Sequence, residues 1–168
     1  MKRKPTAGHI VFSVYCGILI WLVLFKLAFS WEDIRYLRCD RVINLIPFYD
    51  KDPIGRLQIR EMMLNFLAFV PFGMYLNMLE ISWKKGILLG CAVSLGFELC
   101  QFTFRIGASD VTDLITNTVG TTAGVCTYMV ASKLFPNKKK LDKTIRTVSV
   151  ILLLIFFFMA ALLLAANA

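Results

Sequence analysis

The chain of 168 residues is long enough for one domain, and its composition excludes an ordinary soluble one. Hydrophobic residues make up 58% and charged residues 18%, and a soluble fold of this size could not bury so much apolar surface. The net charge of +8 would suggest a nucleic-acid partner, but the basic residues stand in short tracts between apolar runs. That pattern orients membrane helices, so we expect a multi-spanning membrane protein and no nucleic-acid partner.

Five apolar runs, in chain order, predict five transmembrane helices. They cover residues 10–29, 62–79, 86–104, 111–135 and 148–166. Each approaches the roughly 17–25 residues that cross a bilayer, and none alternates as the strands of a barrel do. The first run is too long for a signal peptide and predicts an uncleaved helix. We therefore expect an all-α integral membrane protein, a five-helix bundle that forms one domain over residues 1–168.

The distribution of basic residues predicts that the N-terminus is cytoplasmic and the C-terminus outside. Lys and Arg concentrate in residues 1–9, in a tight turn around Lys84 and Lys85, and in the stretch 133–146, which alternate spans place on one side. The loop 30–61 contains as many acidic as basic residues, and we assign it to the outside.

Polar side chains recur near one end of the third and fourth predicted helices, at the spacing i, i+3, i+7. They are Glu98, Gln101 and Arg105 on the third, and Asp110, Asp113 and Asn117 on the fourth. This spacing places each set on one helical face. A short connection makes the two helices antiparallel neighbours, so the polar faces can meet in a pocket that opens outward.

The second predicted helix adds two features to this end of the bundle. Asn65 lies near its outer end, and Pro71 is expected to break the helix in mid-membrane. Two glycine pairs with GxxxG spacing, at 86 and 90 and at 120 and 124, predict close helix packing.

Structural roles could explain part of this polar set. Ser109 or Asp110 could cap the fourth helix, with Asp113 in its first turn, and Glu98 could pair with Arg105 or with an arginine of the loop. Neither role accounts for Asn117. Acidic residues inside membranes usually serve function, which favours a ligand or chemical role for Glu98.

Known catalytic and metal-binding patterns are missing from the sequence. Five Cys without a CxxC pair and a single His exclude a Cys/His zinc site, and no Ser-His or Cys-His arrangement supports a hydrolase. We expect no cofactor and assign no metal ligands.

Several motifs resemble the VanZ family. They are IWLVLFK at 20–26, NLIPF at 44–48, FVPFG at 69–73 after Asn65, FELCQF at 97–102 and GASDVTDLITNTVG at 107–120. The order ExxQ, DxxD, NxxG is the most specific part. The resemblance implies a bacterial plasma-membrane protein that lowers sensitivity to lipoglycopeptide antibiotics such as teicoplanin, and it implies no agreed enzymatic activity. Many members carry an Arg where this chain has Gly107, so the resemblance assigns no role to an Arg at that turn in this chain.

Two functions stay open at this point. The first is a resistance factor that binds or alters a membrane lipid or a lipid-linked cell-wall precursor, or contacts a teicoplanin-type drug. Its candidate binding residues are Asn44, Asn65, Glu98, Gln101, Arg105, Asp110, Asp113 and Asn117. The second is an integral-membrane enzyme in which Glu98, Asp110 and Asp113 act as acid and base, or hold a divalent cation with the asparagines. A transporter is less favoured, because the chain shows no inverted repeat and no nucleotide-binding motif.

Overall fold

The computed structural model describes residues 7–25, 42–48 and 56–166. Within these residues the chain forms five helices and one pair of two-residue strands. They are α1 (Ala7–Phe25), β1 (Ile43–Asn44), α2 (Arg56–Met78), α3 (Trp83–Phe104), β2 (Ser109–Asp110), α4 (Val111–Leu134) and α5 (Lys138–Ala166). The all-helical architecture is confirmed, apart from the small parallel ladder between β1 and β2.

Successive helices run in opposite directions. Phe12, near the start of α1, stacks on Tyr75, near the end of α2, so these helices are antiparallel. Short turns reverse the chain between α2 and α3, between α3 and α4, and between α4 and α5. The ends of α1 and α3 lie together, because the Gln101 side chain donates to the Val23 carbonyl at 3.2 Å. Helices α1, α3 and α5 therefore point one way, and α2 and α4 point the other.

The closest packing in the bundle joins α2 to α4, and glycines make it possible. A Cβ at Gly120 or Gly124 would overlap the carbonyl oxygens of Phe66 or Val70 on α2, and one at Gly73 would overlap the Thr121 carbonyl. Small residues let two helix backbones approach in this way. The packing prediction for the glycine pair at 120 and 124 is confirmed.

The apolar core lies between α1, α2 and α3. Its buried residues are Leu19, Val23, Phe69, Phe72, Leu76 and Phe97. Helix α5 packs more loosely on the outside, through Trp21 against Phe156 and through a hydrogen bond of 2.7 Å from the Tyr128 hydroxyl to Asp142. Most of its apolar side chains are exposed, as expected for a helix that faces lipid.

Three of the described helices are long and apolar enough to cross a membrane: α1, α3, and α5 over Lys138–Leu162. Helices α2 and α4 are more polar, because α2 includes Arg60 and Glu61, which are exposed, and α4 includes Asp113, Asn117 and several threonines. Both are long helices, with 23 residues in α2 and 24 in α4.

Some predicted boundaries were wrong. Helix α2 begins at Arg56, within the predicted loop 30–61, of which the stretches 30–41 and 49–55 lie outside the described residues. Residues 26–29 of the first predicted span lie outside them as well. Lys84 and Lys85 belong to the first turn of α3 and not to the preceding turn.

Two further predictions about helix ends were wrong. Helix α5 begins at Lys138, well before 148, because the Asn137 side chain accepts the Lys140 N–H at 3.1 Å and Leu141 is buried against the bundle. Pro71 does not break α2, which continues to Met78. The carbonyl of Ala68, three residues before Pro71, accepts a hydrogen bond from the Tyr15 hydroxyl.

The two ends of the bundle differ in charge. One end gathers exposed basic side chains from the start of α3, the end of α4 and the start of α5, namely Lys84, Lys85, Lys133, Lys138, Lys139, Lys140 and Lys143. The opposite end carries β1, β2 and the acidic and amide side chains predicted as a site.

Candidate functional site

The connection between α3 and α4 forms the outer part of the site. Helix α3 ends at Phe104, and Arg105 adopts the left-handed conformation (φ 57°), with its N–H donating to the Gln101 carbonyl. The chain then reverses and forms β2. Strand β2 pairs in parallel with β1, with Ile43 opposite Ser109 and Asn44 opposite Asp110.

Asp110 connects three segments of the chain. It is the N-cap of α4, where its Oδ1 accepts the Thr112 N–H at 2.7 Å. Its Oδ2 accepts from the Asn44 side chain at 3.0 Å. Its own N–H donates to Glu98 Oε2 at 2.7 Å. Asp110, rather than Ser109, therefore caps the helix, and both of its carboxylate oxygens are occupied.

The segment 42–48 is fixed to the start of α4 by two more bonds. The Ser109 N–H donates to the Val42 carbonyl at 3.0 Å, and the Phe48 N–H donates to the Thr112 hydroxyl at 3.0 Å. Successive N–H groups of a strand point to opposite sides. Strand β2 accordingly lies between β1 on one side and Glu98 on the other.

The inner part of the site lies at the contact of α3 with α4. The Asn117 side chain donates to the Ser94 hydroxyl at 2.9 Å, and both residues are fully buried. Ser94, Glu98 and Gln101 follow one face of α3, so a polar stripe runs from the end of the helix toward its middle.

Three buried oxygen atoms accept no hydrogen bond within the described part of the chain; two belong to this stripe and the third to Asn117 of α4. They are Glu98 Oε1, Gln101 Oε1 and Asn117 Oδ1. Their residues are 4%, 2% and 0% exposed, so all three lie in the interior of the bundle. A buried acceptor without a donor costs about 1–3 kcal/mol, and functional sites are one place where proteins accept this cost.

Asp113 and Asp110 surround Glu98 with further negative charge. Asp113 lies in the first turn of α4, half-buried, and both aspartates are near enough for their charges to act on Glu98. The structure thus brings together Asn44, Glu98, Asp110 and Asp113, with Gln101 and Asn117 on either side of Glu98 along the stripe.

Two predicted members of the site lie elsewhere. The Arg105 side chain is exposed and forms no ion pair with Glu98, because α3 ends one residue earlier and the i+7 spacing no longer applies. Asn65 is half-buried on α2, and no bond from it to the cluster is seen among residues 7–25, 42–48 and 56–166.

The described residues contain no group of three or more Cys, His, Asp or Glu side chains placed to hold a metal ion. Sequence reasoning missed Ser94 and Thr112, which bond to Asn117 and to the Phe48 backbone. Ser94 could have been found, because it stands four residues before Glu98 and shares its face.

Comparisons with known proteins agree with the motifs at this site. The family model for VanZ/LLP1 matches residues 12–133, which include all the residues of the site. The chain is 40% identical to "Protein VanZ" of Enterococcus faecium over 142 residues, which cover 83% of this chain and 84% of the relative. No solved structure matches. The chain therefore belongs to the VanZ/LLP1 family.

Proposed function

We propose that this protein is a multi-pass bacterial plasma-membrane resistance factor that lowers sensitivity to teicoplanin-type lipoglycopeptides. It acts by binding or altering a lipid-linked component of the envelope. The support is its membership of the VanZ/LLP1 family, the relative that spans most of the chain, and a polar site at one end of an apolar bundle.

In this proposal all five helices cross the membrane, with the N-terminus inside. Helices α2 and α4 lie antiparallel to α3 and are about 35 Å long at 1.5 Å per residue, which spans about 30 Å of hydrocarbon. The lysine-rich end is cytoplasmic by the positive-inside rule. The site of Glu98 and Asp110 then faces outward, where cell-wall precursors are exposed.

The oxygen atoms of the site that lack a hydrogen-bond donor indicate which kind of ligand head group it binds. The side-chain amide nitrogens of Gln101 and Asn117 each donate one hydrogen bond to a protein oxygen, whereas their amide oxygens and Glu98 Oε1 are acceptors without a donor among the described residues. The Gln101 amide cannot be reversed, because its nitrogen is needed by the Val23 carbonyl. A head group that donates hydrogen bonds, such as a sugar hydroxyl or an amine, suits this site better than a phosphate does.

One observation carries the proposal: Glu98 is buried at this end, with one carboxylate oxygen bonded to Asp110 and the other vacant. The first oxygen has a structural task. The second accepts no hydrogen bond by geometry among the described residues, although the Ser109 side chain also acts on this carboxyl, and buried acids of membrane bundles usually serve function.

The test is expression in a susceptible Gram-positive host, with inhibitory concentrations measured for teicoplanin and vancomycin. We expect greater protection against teicoplanin, because its acyl chain holds it at the membrane, with about 0.8 kcal/mol for each buried CH₂. Equal protection against both drugs would contradict a role for the acyl chain.

Substitutions distinguish an effect on the site from an effect on folding and insertion. Glu98→Gln should abolish protection while the amount of inserted protein stays unchanged. The matched control is Glu80→Gln, since Glu80 is exposed at the opposite end and its pair with Lys138 at 3.7 Å contributes little. Asp113→Asn should also abolish protection, and the double variant should be no worse than either single one. If Glu98→Gln accumulates normally and still protects, the proposed site is wrong.

The second candidate is an integral-membrane enzyme, and the vacant Glu98 Oε1 specifically favours it. A carboxylate with a free oxygen beside two aspartates could take or give a proton. A profile of lipids and cell-wall precursors, with and without the protein, separates the two functions. An enzyme converts one precursor into another in excess of the amount of protein, whereas a binding protein leaves the profile unchanged.

A further inference from the structure

The segment 42–48 presents a row of apolar side chains to its surroundings. The exposed fractions are 56% for Ile43, 75% for Leu45, 61% for Ile46 and 55% for Phe48. We call these four residues the apolar strap. Such a concentration of large apolar side chains in a short non-helical segment marks an interaction surface.

The polar groups of the same segment point toward the protein. The Val42 carbonyl, the Asn44 side chain and the Phe48 N–H bond to Ser109, Asp110 and Thr112. The Ile46 N–H donates to Asn44 Oδ1 at 3.2 Å, and Pro47 has no N–H. Much of the polar backbone is therefore already hydrogen-bonded, which lowers the cost of placing this segment in an apolar medium.

The position of the strap along the bundle indicates that this medium is the membrane interface. Strand β2 lies directly between the end of α3 at Phe104 and the start of α4 at Val111, and β1 is paired to it. Helix α3 is long and apolar enough to span a membrane, and Phe104 at its end is 65% exposed. The strap is thus level with the end of a span, where the hydrocarbon meets the head groups.

We propose that the apolar strap inserts into the membrane interface at this end of the bundle and docks on a lipid surface. The four side chains enter the lipid, while the bonds to β2 and α4 hold the backbone at head-group depth. The strap then continues the lipid-facing surface of the helices across the mouth of the polar site. This inference rests on exposure and position and does not depend on antibiotic resistance.

The test places a fluorescent reporter at the strap. In full-length protein whose Trp21, Trp31 and Trp83 are replaced by Phe, Leu45→Trp is reconstituted into bilayers that contain lipids brominated on the upper acyl chain. We expect a blue-shifted emission and quenching as strong as that of Leu152→Trp, an exposed position on α5. The control is Asn137→Trp, in the exposed polar turn before α5.

Emission typical of water, with no more quenching than at position 137, would overturn the proposal. A second measurement covers the case in which the Trp-free chain does not fold. A benzophenone amino acid at position 45 of the otherwise natural chain should crosslink to lipid on irradiation, giving a lipid-sized mass increase. A chain that accumulates in the membrane but yields no lipid adduct would equally overturn it.

Discussion

Asp110 is the residue at which α3, α4 and the segment 42–48 meet. Its side chain caps α4 and accepts from Asn44, and its backbone donates to Glu98. All three hydrogen bonds involve this one residue. Substitutions of Asp110 can therefore distinguish the contribution of its helix cap from the contribution of its charge.

We predict that Asp110→Ala lowers the free energy of unfolding by about 1–2 kcal/mol, as expected for loss of an N-cap together with a side-chain bond. Asp110→Asn should cost less, since its amide oxygen can still accept the Thr112 N–H. Thermal unfolding in detergent measures both. Equal losses for the two variants would show that charge, and not the cap, stabilises this turn.

Residue patterns in the sequence predict part of the site. The i, i+3 spacing correctly put Glu98 and Gln101 on one face, because that face stays helical up to Phe104. The same rule failed for Arg105, since the helix had already ended. The bond between Asn44 and Asp110 joins residues 66 positions apart, and no local periodicity can predict it.

At the scale of elements, the bundle depends on how closely α2 approaches α4. The backbone oxygen of Val70 occupies the space that a Cβ of Gly124 would need, and neither backbone can move independently of its helix. Gly96 on α3 has no neighbouring atom within 4 Å of such a Cβ. Gly124 and Gly96 therefore form a matched pair for substitution, because both are helical but only Gly124 lacks room for a Cβ.

We predict that Gly124→Ala destabilises the bundle by at least about 1–3 kcal/mol, the usual cost of overpacking. Gly96→Ala should be neutral or stabilising by up to about 1 kcal/mol, because alanine favours the helix. The measurement is the fraction of inserted protein that stays folded during titration with denaturing detergent. Similar losses for both variants would mean that the glycines act through helix propensity alone.

Over the whole molecule, the alternating directions of the described helices give the bundle two chemically different ends, and the proposed topology places these on opposite sides of the membrane. We predict that, in a chain whose native cysteines are replaced, Ala108→Cys reacts with an impermeant thiol reagent in intact cells. Lys139→Cys should react only after the cells are opened. Both positions are exposed, so burial does not confound the comparison. Labelling of position 139 in intact cells would contradict the orientation.

For the part of the chain that the structure describes, the sequence predicted the number and order of the helices well, because most of them contain long apolar runs. It predicted their starts poorly wherever polar residues continue a helix. The first turns of α5 are rich in lysine yet helical, since Leu141 and Asp142 contact the bundle through Tyr128 and its neighbours. Contacts of this kind depend on tertiary structure, which hydropathy does not reflect.

The pairing of α2 with α4 also bears on the order in which the chain is made. Helix α2 leaves the ribosome before its closest partner exists, and it is less apolar than α1, α3 or α5. A helix of this kind enters the bilayer inefficiently by itself. We therefore expect α2 to remain incompletely inserted in nascent chains that end at Phe104, and to become fully inserted once Leu134 has been added. Glycosylation-site mapping of translation intermediates would reveal this delay, and full insertion of the shorter chain would contradict it.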